Sequence, residues 1–180
     1  MRSVSPRVSR SGRFAAITNY RDPARMRADA PSRGALVGDF LRAAQTAPAY
    51  LDDVAAAGLP YNGFNLLAAD PDAGLWYYGS RDGRPRAVEA GIHGLSNALL
   101  DTPWPKVERL RRRVTQEVLP LFAQAQAEQL DAAFAVLSDQ TLAADDELPD
   151  TGIGIEWERL LSPVCIVTPV YGTRTSTVLQ

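Results

Sequence analysis

The sequence has few of the residues on which reactive or cross-linked sites depend. Among its 180 residues it has 1 cysteine, Cys165, and 1 histidine, His93. A single cysteine excludes an internal disulfide framework and fits a reducing compartment. A single histidine excludes a histidine-rich metal site. We therefore predict that the chain binds no metal and that it works in the cytoplasm.

Long apolar runs and an excess of charge are missing as well. No apolar run approaches the length of a membrane helix. The basic start of the chain has no apolar stretch behind it, so a secretory signal is not expected. The formal net charge of -2 gives no electrostatic attraction to nucleic acid or anionic lipid. We expect neither a nucleic-acid nor a membrane partner, and the oligomeric state stays open.

What is present is the composition of one globular domain. Hydrophobic residues make up 46% and charged residues 22% of the chain, and its length is enough for one sizeable core. Lys106 is the only lysine among many arginines and alanines. Such a bias is typical of a GC-rich bacterial genome and says little about function.

The first half of the chain alternates between strand and helix patterns. Residues 1–11 are polar and without pattern, and we predict that they are disordered or a non-native start. An apolar run at 13–20 predicts a strand. Ser32 and Thr46 precede two stretches with helical spacing. Short runs joined by tight turns then predict antiparallel strands at 64–69, 75–79, 86–89 and 91–95.

The second half is predicted to be helical and then extended. Helical spacing resumes at Pro105 and continues to Leu137, with an interruption at Pro120. An acidic loop follows, and two apolar runs predict closing strands at 164–167 and 175–179. This order is typical of an α+β fold, and the connections are too short for repeated βαβ crossovers.

Three conspicuous features have a simple structural interpretation. His93 has no serine–aspartate arrangement near it in the sequence, so we interpret it as structural or exposed rather than catalytic. Cys165 lies in an apolar run, where a free cysteine is usually an inert small hydrophobe. The arginine run 111–113 is flanked by glutamates and has no interleaved aromatics, which indicates a solvated helix face rather than a nucleic-acid site.

Polar residues at predicted strand ends are better candidates for a site. Asn62 and Asn65 flank a glycine at a strand start, Ser96 and Asn97 follow a predicted strand, and Arg174 stands among hydroxyl residues. Asparagine amides at strand ends are suitable oxyanion donors, because they are neutral and fixed. A nearby arginine can lower the pKa of a nucleophile or bind a carboxylate. The alternative is that these asparagines cap turns.

Together these segments carry a strong resemblance to the NRDE family, also called the transport and Golgi organisation protein 2 family. The resemblance covers nearly all of the chain from about residue 8 onwards. The matching blocks follow one another in family order, at 12–22, 32–34, 61–67, 94–97, 100–106, 148–152, 158–163 and 171–174.

The resemblance implies a fold and a site. The family is similar to the N-terminal-nucleophile hydrolases, which implies a four-layer αββα sandwich of two antiparallel sheets. In the related cysteine amidases, the thiolate of an N-terminal cysteine attacks an amide. By motif position, Asn65 and Asn97 match the oxyanion asparagines and Arg174 matches a late arginine. Asn62 and Ser96 are then further pocket-lining residues.

The sequence departs from the family at its start. Residue 2 is arginine where the family has cysteine, and the Asn-Arg-Asp-Glu block is absent. Cys165 has no free α-amine and cannot substitute for the missing nucleophile. We therefore predict that residues 12–180 form a partial domain without its nucleophile and without a final strand.

Three functions fit these observations. A non-catalytic or trafficking protein and a truncated copy rank above a cysteine-dependent amide hydrolase whose nucleophile-bearing segment is missing. The ligand would be a small molecule or an amide of unknown identity. No cofactor is predicted, because haem follows only from the resemblance. His93 and Cys165 are the strong axial-ligand candidates, besides tyrosine and methionine.

Overall fold

The computed structural model describes residues 4–123 and 125–179, and the chain divides into two compact units. The first unit holds Met1–Gly91 and Leu95–Leu100, and the second holds Ile92–Gly94 and Asp101–Gln180. The described residues contain one five-stranded sheet and five α-helices. The predicted mixture of helices and antiparallel strands is therefore confirmed.

The first unit is built on an antiparallel sheet whose strand order follows the sequence. Strands that are neighbours in the sheet are also consecutive along the chain, and the one long connection among the described strands, between the second and the third, contains two helices. The strands are β1 (Val4–Val8), β2 (Phe14–Asn19), β3 (Phe64–Asp70), β4 (Gly74–Gly79) and β5 (Arg86–Ala87). The Asp70–Gly74 connection is tight, and Gly74 has a φ of +73°, a conformation that favours glycine.

One face of this sheet packs against two helices to form the core. These are α1 (Gly34–Arg42) and α2 (Ala47–Ala56). Ile17, Leu66 and Tyr78 lie side by side across β2, β3 and β4 and all face this core. The alternation of strand side chains sends the neighbouring set, Thr18, Asn65 and Gly79, to the opposite face.

A carboxylate from the sheet stabilises the start of α2. Thr46 occupies the N-cap position, as its place in the sequence predicts, but its side chain makes no capping bond. Instead the buried Asp70 accepts the N–H of Ala47 with one oxygen and those of Asp72 and Ala73 with the other. Burial tends to raise the pKa of Asp70, but the three N–H donors outweigh it and hold that pKa below its usual value.

The second unit is largely helical. It contains α3 (Pro105–Arg113), α4 (Gln126–Leu137) and α5 (Ile155–Leu160). A wide helical turn at Val114–Val118 and a 3₁₀ turn at Leu119–Ala123 follow α3 directly. Pro120 lies in this tight turn, which fits the predicted interruption. Among the described residues, no helix combines the length and the apolar character needed to cross a membrane.

Four local predictions were wrong. Val4–Val8 forms a strand, paired antiparallel with β2, where no pattern predicts one. Residues 91–95 form no strand, since Gly94 packs closely against Val107 of α3. The predicted closing strands at 164–167 and 175–179 are reduced to one isolated bridge between Val167 and Gly172. Residues 1–3 lie outside the described part of the chain.

Candidate functional site

The predicted site residues of the first unit gather where β2 ends and β3 begins. Thr18 of β2 lies opposite Asn65 of β3, and Asn65 lies opposite Gly79 of β4. Tyr77, two residues before Gly79, points to the same face. The segment 95–100 belongs to the same unit and is bound to these residues.

Asn65 is fully buried, and its side-chain amide is saturated by protein partners. Its Nδ2 donates one hydrogen to Thr18 Oγ1 at 3.2 Å and the other to the carbonyl of Ala98 at 2.8 Å. Its Oδ1 accepts the hydroxyl of Tyr77 at 2.7 Å. Asn65 therefore bridges the sheet to the segment 95–100 and has no amide hydrogen left for a ligand.

Thr18 and Tyr77 extend this network to both ends of the bound segment. The Thr18 hydroxyl accepts from Asn65 and donates to the carbonyl of Ser96 at 2.8 Å. The Tyr77 hydroxyl donates to Asn65 and accepts the N–H of Leu100 at 3.2 Å. Burial raises the pKa of Tyr77, so its hydroxyl keeps the proton that it donates. The directions of all these bonds are mutually consistent, which favours a cooperative network.

Asn97 lies in the bound segment and is only half-buried. Its Nδ2 donates to the carbonyl of Asn19 at 2.9 Å, and its own carbonyl accepts the N–H of Arg21 at 2.7 Å. Among the described residues, its second amide hydrogen and its side-chain oxygen have no partner. Of the two predicted oxyanion asparagines, Asn97 alone keeps a donor for a ligand.

Asn62 and Ser96 have supporting positions in the same unit. The side chain of Asn62 makes two hydrogen bonds with the backbone of Arg27. Its Oδ1 accepts the Arg27 N–H at 2.7 Å, and its Nδ2 donates to the Arg27 carbonyl at 2.9 Å. This is the turn-stabilising role that the alternative interpretation assigns to asparagine. Ser96 is half-buried and enters the network through its backbone carbonyl.

Arg174 belongs to the second unit. It is exposed and lies in an extended segment after the isolated bridge at Gly172. Asn65, Ser96 and Asn97 are thus bound around the same strand ends. Asn62 lies in the same unit but bonds to Arg27. The role of Arg174 as a partner of these residues stays a prediction.

The sequence did not single out Tyr77 and Gly79, although both shape the network. A β-carbon on Gly79 would lie 2.5 Å from the Tyr77 hydroxyl and 2.9 Å from a methyl group of Leu99. Only glycine leaves room for the hydroxyl to reach Asn65. The available signal was the Tyr-x-Gly sequence at the end of β4, opposite a buried asparagine of β3. Recognising this signal requires the pairing register of the two strands.

His93 has a carboxylate partner that its neighbours in the sequence do not reveal. Its Nδ1 lies 2.6 Å from Asp101 Oδ2, while Asp101 Oδ1 accepts the N–H of Gly94 at 2.8 Å. Burial tends to raise the pKa of Asp101, but the bonds from His93 and Gly94 outweigh it and hold that pKa below its usual value. Asp101 is the non-glycine residue with positive φ among those described, at +61°. The pair closes the loop before α3.

The fold and this cluster define a class: a mixed α/β domain whose strand-end asparagines tether a loop to an antiparallel sheet. A family model described as "Transport and Golgi organisation 2" matches residues 7–180. The chain belongs to this family, as its sequence blocks predict.

Three relatives show how far the likeness extends. The Transport and Golgi organization protein 2 homolog of Bos taurus is 40% identical over 187 residues. The homologs of Homo sapiens and Mus musculus are 36% and 35% identical over 184 residues. Each alignment covers 96% of this chain and 65% of the relative. The chain therefore spans just under two thirds of the length of these relatives.

Proposed function

We propose that this chain is a non-catalytic member of its family, which serves transport or Golgi organisation and does not hydrolyse amides. The saturation of Asn65 carries this proposal. An oxyanion donor must keep an N–H directed at the substrate, in the place where negative charge develops. Asn65 instead donates one amide hydrogen to the Thr18 hydroxyl and the other to the Ala98 carbonyl.

The proposed location and ligand rest on the composition of the chain and on the names of its relatives. The single cysteine supports a cytoplasmic location. The proposed role in transport or Golgi organisation is taken from the names of the relatives. The ligand is a small molecule, and nucleic acid is not a partner of a chain with net charge -2.

Two measurements test the proposal. The purified chain should turn over none of a broad panel of chromogenic amides. In animal cells depleted of their own relative, the chain should restore secretion of a reporter protein. Amide turnover that Asn97→Ala abolishes without lowering the melting temperature would overturn the proposal.

The whole protein is further proposed to have the four-layer αββα sandwich, of which residues 12–180 form a part. The sheet face away from α1 and α2 supports this, because it carries several apolar side chains: Phe14, Ala16, Leu67, Ala69 and Leu75. A second sheet packs on such a face in a sandwich. A crystal structure of a full-length relative in which helices alone cover this face would contradict it.

A cysteine-dependent amide hydrolase is the second candidate, and Asn97 favours it. The half-buried Asn97 amide keeps one hydrogen beside the strand ends, where an oxyanion could bind. In a protein extended by an N-terminal cysteine, this candidate predicts an activity that cysteine→alanine abolishes. Asn97→Ala should then lower the rate and leave folding intact, whereas Asn65→Ala should impair folding.

A haem-related role gains little support from the chain's own residues. An axial histidine of a haem needs an apolar cavity over its ring. His93 instead contacts the carboxylate of Asp101, and the guanidinium of Arg111 binds the neighbouring carbonyl of Ile92 at 3.1 Å. These polar and charged surroundings do not suit a porphyrin, so we propose no tight axial-ligand site.

A further inference from the structure

Two arginines converge on Gly63, at the start of β3. Arg33, which precedes α1 and belongs to the segment 32–34, donates from Nη1 to the Gly63 carbonyl at 2.7 Å. Arg81, just after β4, has Nε and Nη2 at 3.6 Å from the position that a β-carbon of Gly63 would occupy. The proposed function uses neither of them.

The charge of Arg33 is not compensated. Its guanidinium is half-buried, and among the described residues its hydrogen-bond partner is a neutral carbonyl and no carboxylate forms an ion pair with it. Burial lowers the pKa of Arg33, because the charged form has lost part of its hydration. A partly desolvated cation that is paired only with a neutral group is costly to keep, unless an anion joins it.

The carboxylate of Asp22 is shared by two other arginines. Asp22 Oδ2 lies 3.0 Å from Arg81 Nη2 and 3.9 Å from Arg25 Nε. Arg33, Arg81 and Arg25 therefore bring three positive charges to a cluster that contains one negative charge. The other arginine of this loop, Arg27, has its own partner in Asp29 at 2.8 Å. The cluster keeps an excess of two positive charges.

A residue without a side chain stands beside the guanidinium of Arg81, because a β-carbon at Gly63 would be crowded. A β-carbon on Gly63 would also lie 3.1 Å from Cβ of Tyr20, tighter than ordinary contacts. Any larger residue would fill the space between Tyr20 and the guanidinium of Arg81. Arg33 stands at the N-cap of α1, whose first turn adds a partial positive charge.

We propose that Arg33 and Arg81, with Gly63 between them, form a binding site for the oxyanion of a small molecule, either a phosphate or a carboxylate group. Planar guanidinium groups bind both with paired, charge-assisted hydrogen bonds. An anion bound here would reduce the excess of positive charge in the cluster, and it would also compensate the partly desolvated guanidinium of Arg33. This site specifies the chemical class of small molecule that the proposed non-catalytic protein binds. The inference rests on that proposed function.

Calorimetric titration of the purified chain with inorganic pyrophosphate and, separately, with succinate tests the site. The chain should bind at least one of them saturably. Arg33→Gln and Arg81→Gln should each weaken that binding about tenfold or more, the usual effect of losing a charge-assisted pair. Arg33→Lys should fall in between, because it keeps the charge but loses the planar fork.

Arg42→Gln is the matched control. Arg42 lies on the same helix, is exposed and pairs with Asp39 at 2.7 Å, and its loss changes the net charge equally. Binding of pyrophosphate alone assigns the site to phosphates, and binding of succinate alone assigns it to carboxylates. No saturable binding of either, or an equal loss in Arg42→Gln, overturns the proposal. Should Arg33→Gln not fold, the result for Arg81→Gln decides. The titration measures binding and not turnover. Absence of binding would therefore refute the anion site without bearing on whether the chain hydrolyses amides.

Discussion

Replacing Asn65 by alanine tests whether this residue is structural. The change removes three hydrogen bonds, to Thr18, Ala98 and Tyr77, from a side chain with 0% exposure. Each is worth about 1 kcal/mol net. We expect Asn65→Ala to lower the free energy of unfolding by about 3 kcal/mol.

Hydrogen exchange locates the effect within the first unit. The amide of Leu100 is bound to the Tyr77 hydroxyl, which Asn65 holds in place. In Asn65→Ala, protection of this amide should be lost, because the segment 95–100 is released from the sheet. Urea unfolding followed by circular dichroism gives the total stability, and exchange measured by NMR gives the local effect.

Asn62→Ala is the matched control, because it also removes an asparagine at the start of β3. Its two bonds to Arg27 are exposed, so water replaces them and the cost should stay below about 1 kcal/mol. An Asn65→Ala protein that is as stable as Asn62→Ala, with Leu100 still protected, would refute the structural role.

Three further predictions concern other parts of the chain. Gly79→Ala should destabilise the first unit by more than about 1 kcal/mol and release the segment 95–100, because the new methyl group meets the Tyr77 hydroxyl. Urea unfolding measures the loss of stability, and hydrogen exchange measures the release of the segment. An unchanged stability would contradict the tight fit at Gly79. Asp70→Asn should cost about 2 kcal/mol at neutral pH. The pKa of Asp70 is lower in the folded state, so its stabilisation is present above the unfolded pKa of about 3.9 and is lost as the pH falls through the folded value. The penalty of Asp70→Asn should therefore shrink in acid, and a penalty independent of pH would argue against the capping role. Haem titration should give no sharp Soret shift, and a shift that disappears in His93→Ala would overturn the proposed lack of an axial site.

Local patterns were sufficient to predict the centre of the sheet. The predicted strands 64–69 and 75–79 correspond to β3 and β4 within one residue, because alternation and turn residues are encoded nearby. The apolar run 91–95 was misleading, because Gly94 is buried against a helix and not in a sheet. Strand β1 escaped prediction because it is short and contains a proline, and its pairing with β2 shifts register between Val4 and Arg7.

The candidate site was predictable in its residues but not in their roles. Family blocks pointed to Asn65 and Asn97, yet the sequence could not separate an oxyanion donor from a structural amide. That difference depends on partners far along the chain, such as Thr18 and Ala98 for Asn65. The pairing of His93 with Asp101 was missed for a different reason: the loop between them must close before the two side chains meet.

NMR observation of the Asn65 side-chain amide shows most directly whether the protein saturates it. A scalar coupling across the hydrogen bond from Nδ2 to the Ala98 carbonyl carbon, with slow exchange of both amide hydrogens, is the result expected of a saturated amide. Absence of that coupling, with both hydrogens exchanging as fast as those of an exposed asparagine, would show that Asn65 faces solvent or a ligand and would contradict the account.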